Sequence, residues 1–232
     1  MSLLWVERLI SIAVVLQTLE SFAVAPWPWA IVEGETARSL RPFLKHYRVL
    51  LAIRLIAALA TLVGAPEFLS LSLYAQLFTT WLIAVRWRGT FNGGSDCMTF
   101  QILAACFVAS IFNGHAQVQT AALFYIGAQV LLSYFVAGVA KLREPEWRNG
   151  HSLAQFLGRS RPLRLLSWLT IGFECAAPLC LLSPAICAAY LATALAFHVL
   201  NFYFFGLNRF VFVWAAGYPA LLITTIALHA RH

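Results

Sequence analysis

Apolar residues in this chain fall into long blocks, separated by short clusters of charge, proline and glycine. A helix needs about 20 mostly apolar residues to cross a bilayer, and blocks near that size recur from end to end. The first runs from Leu3 to Val24 and stops before Pro26 and Pro28. Trp27 to Tyr47 then carries Glu33, Glu35, Arg38, Arg41 and Lys45, which reads as an interfacial loop with a short amphipathic helix. The second block, Tyr47 to Val63, closes at Gly64 and Pro66; the third, Glu67 to Val85, leads into Arg86, Arg88 and the glycines after Asn92. A fourth covers Asp96 to Phe112 and ends in the turn signal Asn113-Gly114-His115. The fifth is Val118 to Leu142, the sixth Leu165 to Leu182 before Ser183-Pro184, the seventh Ala185 to Phe205 and the eighth Phe210 to Ala230. The pattern predicts an all-α fold: a polytopic helical membrane bundle of about seven or eight transmembrane helices, filling residues 1–232 as a single domain with no separate soluble part.

Arg143 to Leu163, between the fifth and sixth blocks, is the most polar stretch. Trp147, Leu153, Phe156 and Leu157 are interleaved there with Arg148, Arg159 and Arg161, which predicts a helix lying in the membrane plane.

Composition agrees. The chain is 61% apolar and 11% charged, with a mean hydropathy of +0.78, which excludes an ordinary soluble domain. Its net charge of +7 is scattered over membrane-bounded loops, so acidic lipid headgroups and not nucleic acid are the expected counterpart. The N-terminal block contains Glu7, Arg8 and Glu20 and lacks a cleavage signal, and is expected to be the first mature helix. Cys97, Cys106, Cys175, Cys180 and Cys187 show no CxxC spacing and read as small apolar residues; a Cys175–Cys187 or Cys180–Cys187 bridge is the lesser alternative. The histidines and carboxylates form no metal-ligand cluster in sequence, so no metal is expected.

A few polar residues within or beside the blocks are candidates for chemistry. Lys141, one of two lysines among 16 basic residues, directly follows the apolar run Ala121 to Val139. Hydrocarbon penalises an ammonium, so a lysine there is either a base or a side chain that snorkels to the headgroups. Glu174 lies mid-block in GFECAAPL and must be neutral or paired. It reads either as a proton-transfer or ligand-orienting group or as the partner of Arg54, an arginine that Glu20 could also take. His198 and Asn201, three residues apart, share a helix face. That face could hold the polar head of a ring-shaped ligand, with Phe202, Phe204 and Phe205 as its apolar wall, or could simply hydrogen-bond neighbouring helices. In TFNGGSDCMTF, Asn92 precedes two glycines and Asp96 is placed to cap the fourth helix.

The run YFVAGVAKL, Tyr134 to Leu142, followed by a turn with Pro145, Trp147 and Gly150, resembles the membrane domain of the vitamin K-dependent gamma-carboxylases. It is similar also to their bacterial homologues, the horizontally transferred transmembrane (HTTM) group. The resemblance implies that Lys141 is the general base that deprotonates a quinol, that the cofactor is a quinone or vitamin K-like quinol, and that the ligand is held by Asn92, Asp96, Trp147, Glu174, His198 and Asn201. It implies a quinol-dependent carboxylase- or epoxidase-like, or oxidoreductase-like, enzyme in a bacterial inner membrane. Where the carboxylases have a histidine that assists the lysine, this chain has Gly93 or Gly94, leaving His115, His151 or His198 to substitute. The carboxylases' large lumenal portion has no counterpart before His232, so carboxylation of a protein substrate is expected only with a separate periplasmic partner. The alternative is a non-catalytic accessory subunit of a larger membrane complex; a transporter is less supported, because no inverted repeat is apparent. Positive residues follow blocks one, three, five and seven, which would put Lys141 at the cytoplasmic face, whereas the resemblance puts it at the periplasmic face.

Overall fold

The computed structural model describes residues 3–24, 46–64, 66–86 and 94–230. These are helical throughout apart from turns, and among the described residues there is no strand. The long helices are α1 (Leu4–Val24), α2 (Tyr47–Val63), α3 (Leu69–Arg86), α4 (Gly94–Ile111) and α5 (Ala116–Arg143). Two short ones follow, α6 (Pro145–Arg148) and α7 (His151–Phe156), then α8 (Arg164–Cys175), α9 (Pro184–Phe205) and α10 (Asn208–His229). Among the described residues, five segments are long and apolar enough to cross a membrane: α4, α5, α8 with the 3-10 turns that extend it to Leu182, α9 and α10. Hydrocarbon offers backbone groups no hydrogen bonds, and helices satisfy those groups internally.

Local chemistry sets the ends. Gly64, at φ +82°, closes α2 in the left-handed region that only glycine enters freely. Ser183 caps α9 by accepting a hydrogen bond from the Ile186 N–H, with Pro184 in the first turn, where its missing donor costs nothing. The sixth block is one candidate span, Arg164–Leu182, in which α8 ends at Cys175 and the chain continues as 3-10 turns over Ala177–Leu182, because Pro178 cannot donate to the α-ladder. One expectation needs correcting. The in-plane segment is two short helices, because Gly150 takes φ +80° and breaks it. The loop predicted before Tyr47 lies, up to residue 45, outside the described residues.

The chain forms two compact units, Met1–Leu123 with Phe212–Gly217, and Phe124–Val211 with Tyr218–His232. In the first, α1 packs on α2 and α4, α2 on α3, and α3 on α4. Buried polar side chains join these helices. Ser11 Oγ donates to Gln76 Oε1 (3.2 Å), Gln76 Nε2 to Thr61 Oγ1 (2.9 Å), and Thr61 meets Ser72 (2.7 Å). Gln17 donates to Thr99 (2.8 Å) and accepts from Arg54 Nη2 (2.8 Å). In hydrocarbon such bonds stabilise helix association by about 0.6 kcal/mol each, up to ~1.7. In the second unit α8 packs on α6 and on the 3-10 segment, which also meets α9. Large apolar residues such as Val63 and Leu165 face outward, while Gln17, Gln76 and Thr99 are buried. That inversion of a soluble protein is the pattern of an α-helical membrane protein.

Candidate functional site

Gly127, Tyr134, Gly138 and Lys141 are seven, four and three residues apart, so they line one face of α5. Gly127 meets α10: a Cβ there would lie 2.9 Å from Thr224 Oγ1 and 3.1 Å from Leu221 Cα. Gly138 meets α8: a Cβ there would lie 2.7 Å from the Cys175 nitrogen and 2.9 Å from the Glu174 carbonyl carbon. Small residues of this kind let membrane helices approach backbone to backbone. The contact at Gly138 brings Glu174 within reach of Lys141, one turn further along α5.

Lys141 Nζ donates to both carboxylate oxygens of Glu174, at 2.8 and 2.7 Å. The Glu174 side chain is 6% exposed and that of Lys141 20%. Two bonds to one ammonium offset part of the cost of removing both charges from water. The indole of Trp147 completes the site, its centroid 5.1 Å from Nζ, in cation–π range. Trp147 is held by its own carbonyl, which accepts from the buried Ser167 hydroxyl of α8. Gly150 fastens the same turn: its carbonyl accepts from the Leu163 N–H (3.1 Å), and a Cβ on it would strike the backbone of Leu163 and Arg164. The motif's glycines and tryptophan are therefore explained by how they place the lysine.

Further along the same face, the Tyr134 hydroxyl lies 2.7 Å from His198 Nε2 and 2.7 Å from the Tyr218 hydroxyl. All three side chains are buried. Rings of Phe173, Tyr190 and His198 surround Tyr134 with centroids 5.6–5.7 Å away, and Phe173 stacks on Tyr190 at 4.9 Å. Phe173 precedes Glu174 in α8, so the ion pair between α5 and α8 adjoins the tyrosine–histidine cluster, whose members stand on α5, α9 and α10. Tyr134→Phe removes the hydroxyl that joins His198 to Tyr218. It is expected to cost about 1–3 kcal/mol, read as a lower unfolding midpoint in detergent, and Tyr218→Phe less because one bond is lost instead of two.

The structure thus brings together Lys141, Glu174 and Trp147, and places His198 in the adjoining cluster. Lys141 stands where Arg54 was expected as the partner of Glu174; Arg54 donates to Gln17 instead. Asn201 is half-buried one turn beyond His198 and makes no hydrogen bond among the described residues. The wall expected beside them is different: Phe202 and Phe204 are exposed on the outside, and the rings around His198 are those of Tyr134, Phe197 and Phe210. Asp96 is half-buried in the first unit; α4 starts at Gly94, so Asp96 stands inside its first turn, where a carboxylate favours the helix dipole, and not at the cap position. Asn92 and Gly93 lie outside the described residues. His115 and His151 are exposed.

All five cysteines are free thiols, so neither bridge forms. Among the described residues no three ligating side chains gather to hold a metal. The sequence does contain one HxxH spacing, His229 to His232. The ring nitrogens of His229 lie 2.9 Å from the Thr225 and Leu182 carbonyls.

Gly138 stands inside YFVAGVAKL without a role read from the sequence, and Tyr218 and Tyr190 lie outside the motifs. The seven-four-three spacing from Gly127 was the available signal for the first. For the tyrosines it was only a hydroxyl in an apolar block, which must find a partner. Comparison of the chain with protein-family models, with curated proteins and with solved structures finds no match in any of the three.

Proposed function

We propose that this chain is an HTTM-type integral membrane protein of about seven or eight crossings that binds a quinone or similar lipophilic ligand and uses Lys141 as a general base. The observation that supports this is the Lys141–Glu174 pair beneath Trp147, at the end of α5. A proton passed from Lys141 to Glu174 converts an ion pair into a neutral amine and a neutral acid, with no change of net charge. That exchange suits a low-dielectric site, where separated charges are costly. The amine would then accept a proton from an acidic ligand hydroxyl at Nζ. A bound quinol supplies that hydroxyl; Trp147 offers an aromatic face beside it, and Asn201 has an amide uncommitted among the described residues. The reaction class is quinol-dependent carboxylase- or epoxidase-like, or oxidoreductase-like, in a bacterial inner membrane.

A second reading is a non-catalytic subunit of a larger membrane complex. The same pair favours it in one respect: both Glu174 oxygens are engaged by the lysine, as in a purely structural clamp. The test is mass spectrometry of quinones that copurify with gently extracted protein, with turnover of added quinol. The wild-type chain is expected to carry quinone. Lys141→Arg should keep the pair and the ligand but lose turnover, because arginine stays protonated. Lys141→Ala should lose both. A chain that carries no quinone and instead brings down a large membrane partner would sink the catalytic reading.

A further inference from the structure

We infer that the turn between α5 and α8 is a binding surface for anionic phospholipid headgroups. The loop is built and not loose. Gly150 fastens to Leu163, Trp147 to Ser167, and the Arg159 N–H donates to the Ala154 carbonyl at 2.8 Å. Leu153 and Ala154 are buried beneath it. Its charges all point out. Arg143, Arg148, Arg159, Arg161 and Arg164 are exposed, against the two exposed glutamates Glu144 and Glu146. None of the five guanidinium groups makes an ion pair or hydrogen bond among the described residues. Five unmatched guanidinium forks on a rigid loop suit phosphate oxygens, which accept two parallel N–H bonds from each.

The apolar surroundings point to a lipid as the source of that phosphate. Phe156 is 67% exposed and Leu165 76%, on the same loop as the arginines. Phe156 meets Phe205 at 6.1 Å and Trp147 at 6.2 Å, which sets the end of α9, with Tyr203 80% exposed, beside the loop. Exposed aromatic rings at the ends of apolar helices mark the headgroup level of a bilayer. A nucleic acid or an acidic soluble partner would meet these apolar side chains unfavourably; acyl chains would cover them. Arginines at this depth attract an anionic leaflet with a strength that adds per charge and decays with salt.

The test reconstitutes the whole chain in nanodiscs of equal phosphatidylcholine and phosphatidylglycerol, then re-extracts it and quantifies the retained lipids. Wild type is expected to retain phosphatidylglycerol well above its input ratio. R159Q/R161Q should reduce that preference by roughly tenfold. Repeating the wild-type measurement in 1 M salt, where the screening length falls to about 3 Å, should reduce it without any substitution. Absence of a preference in wild type, or a preference that survives both the double substitution and high salt, would overturn the inference.

Discussion

Lys141→Met is expected to destabilise the protein more than Glu174→Met, and the double variant Lys141→Met/Glu174→Met less than either. Glu174 is the deeper partner, at 6% side-chain exposure. Without the lysine its carboxylate is left buried beside Phe173 and Cys175, and a buried ion stripped of its partner costs about 3–5 kcal/mol. Lys141 has a way out. It stands in the last turn of α5 at 20% exposure, so without Glu174 its ammonium can swing to the headgroups on its own apolar stem, limiting the loss to about 1–2 kcal/mol. Two methionines restore apolar contacts with no stranded charge, an exchange that is often neutral or stabilising. Reversible unfolding in detergent of the four proteins gives the coupling directly. Equal losses from the two single variants that simply add in the double variant would show that the pair is not coupled. Lys141→Arg belongs beside this cycle: retained stability with lost quinol turnover separates the lysine's charge from its ability to give up a proton.

The helices were legible in the sequence for the same reason that their partners were not. A membrane block announces itself by length and by the proline or glycine that ends it, and α2 begins at Tyr47 and ends at Val63, as read. Inside a bilayer, however, lipid is as apolar as the protein interior, so an apolar side chain gives no sign of which face packs and which meets lipid. Phe202 and Phe204 were assigned to a ligand wall on that ambiguous evidence and lie outside. The partner of Glu174 was ambiguous for a related reason. Periodicity fixes the face that a residue occupies on its own helix, while the neighbour that it meets depends on tertiary packing. Arg54 is the partner expected from the sequence, and the close approach at Gly138 brings Lys141 to Glu174 instead. The proton-accepting role and the quinone rest on the resemblance, to which the geometry adds a paired lysine under an indole.

Gly138→Ala is the substitution that tests whether this approach builds the site. A methyl group at 138 would sit 2.7 Å from the Cys175 nitrogen, 2.8 Å from its Sγ and 2.9 Å from the Glu174 carbonyl carbon. Two of those three atoms are backbone, so no side-chain rotation relieves the overlap; α8 must retreat from α5. Overpacking of this kind costs about 1–3 kcal/mol. The retreat also lengthens the Lys141–Glu174 contacts, so ligand retention or turnover should fall along with stability. Cys175→Ala in the same background removes only the sulfur overlap and is expected to rescue little. Gly172→Ala is the matched control. That glycine is also inside α8 with nothing within 4 Å of an added methyl group, and relief of glycine's backbone entropy should stabilise the helix by about 0.5–1 kcal/mol. Opposite signs from two glycine-to-alanine changes, read by unfolding midpoint, are the expected result. If Gly138→Ala proves as benign as Gly172→Ala, close approach at Gly138 is not what holds Glu174 against Lys141, and the motif's glycine needs another explanation.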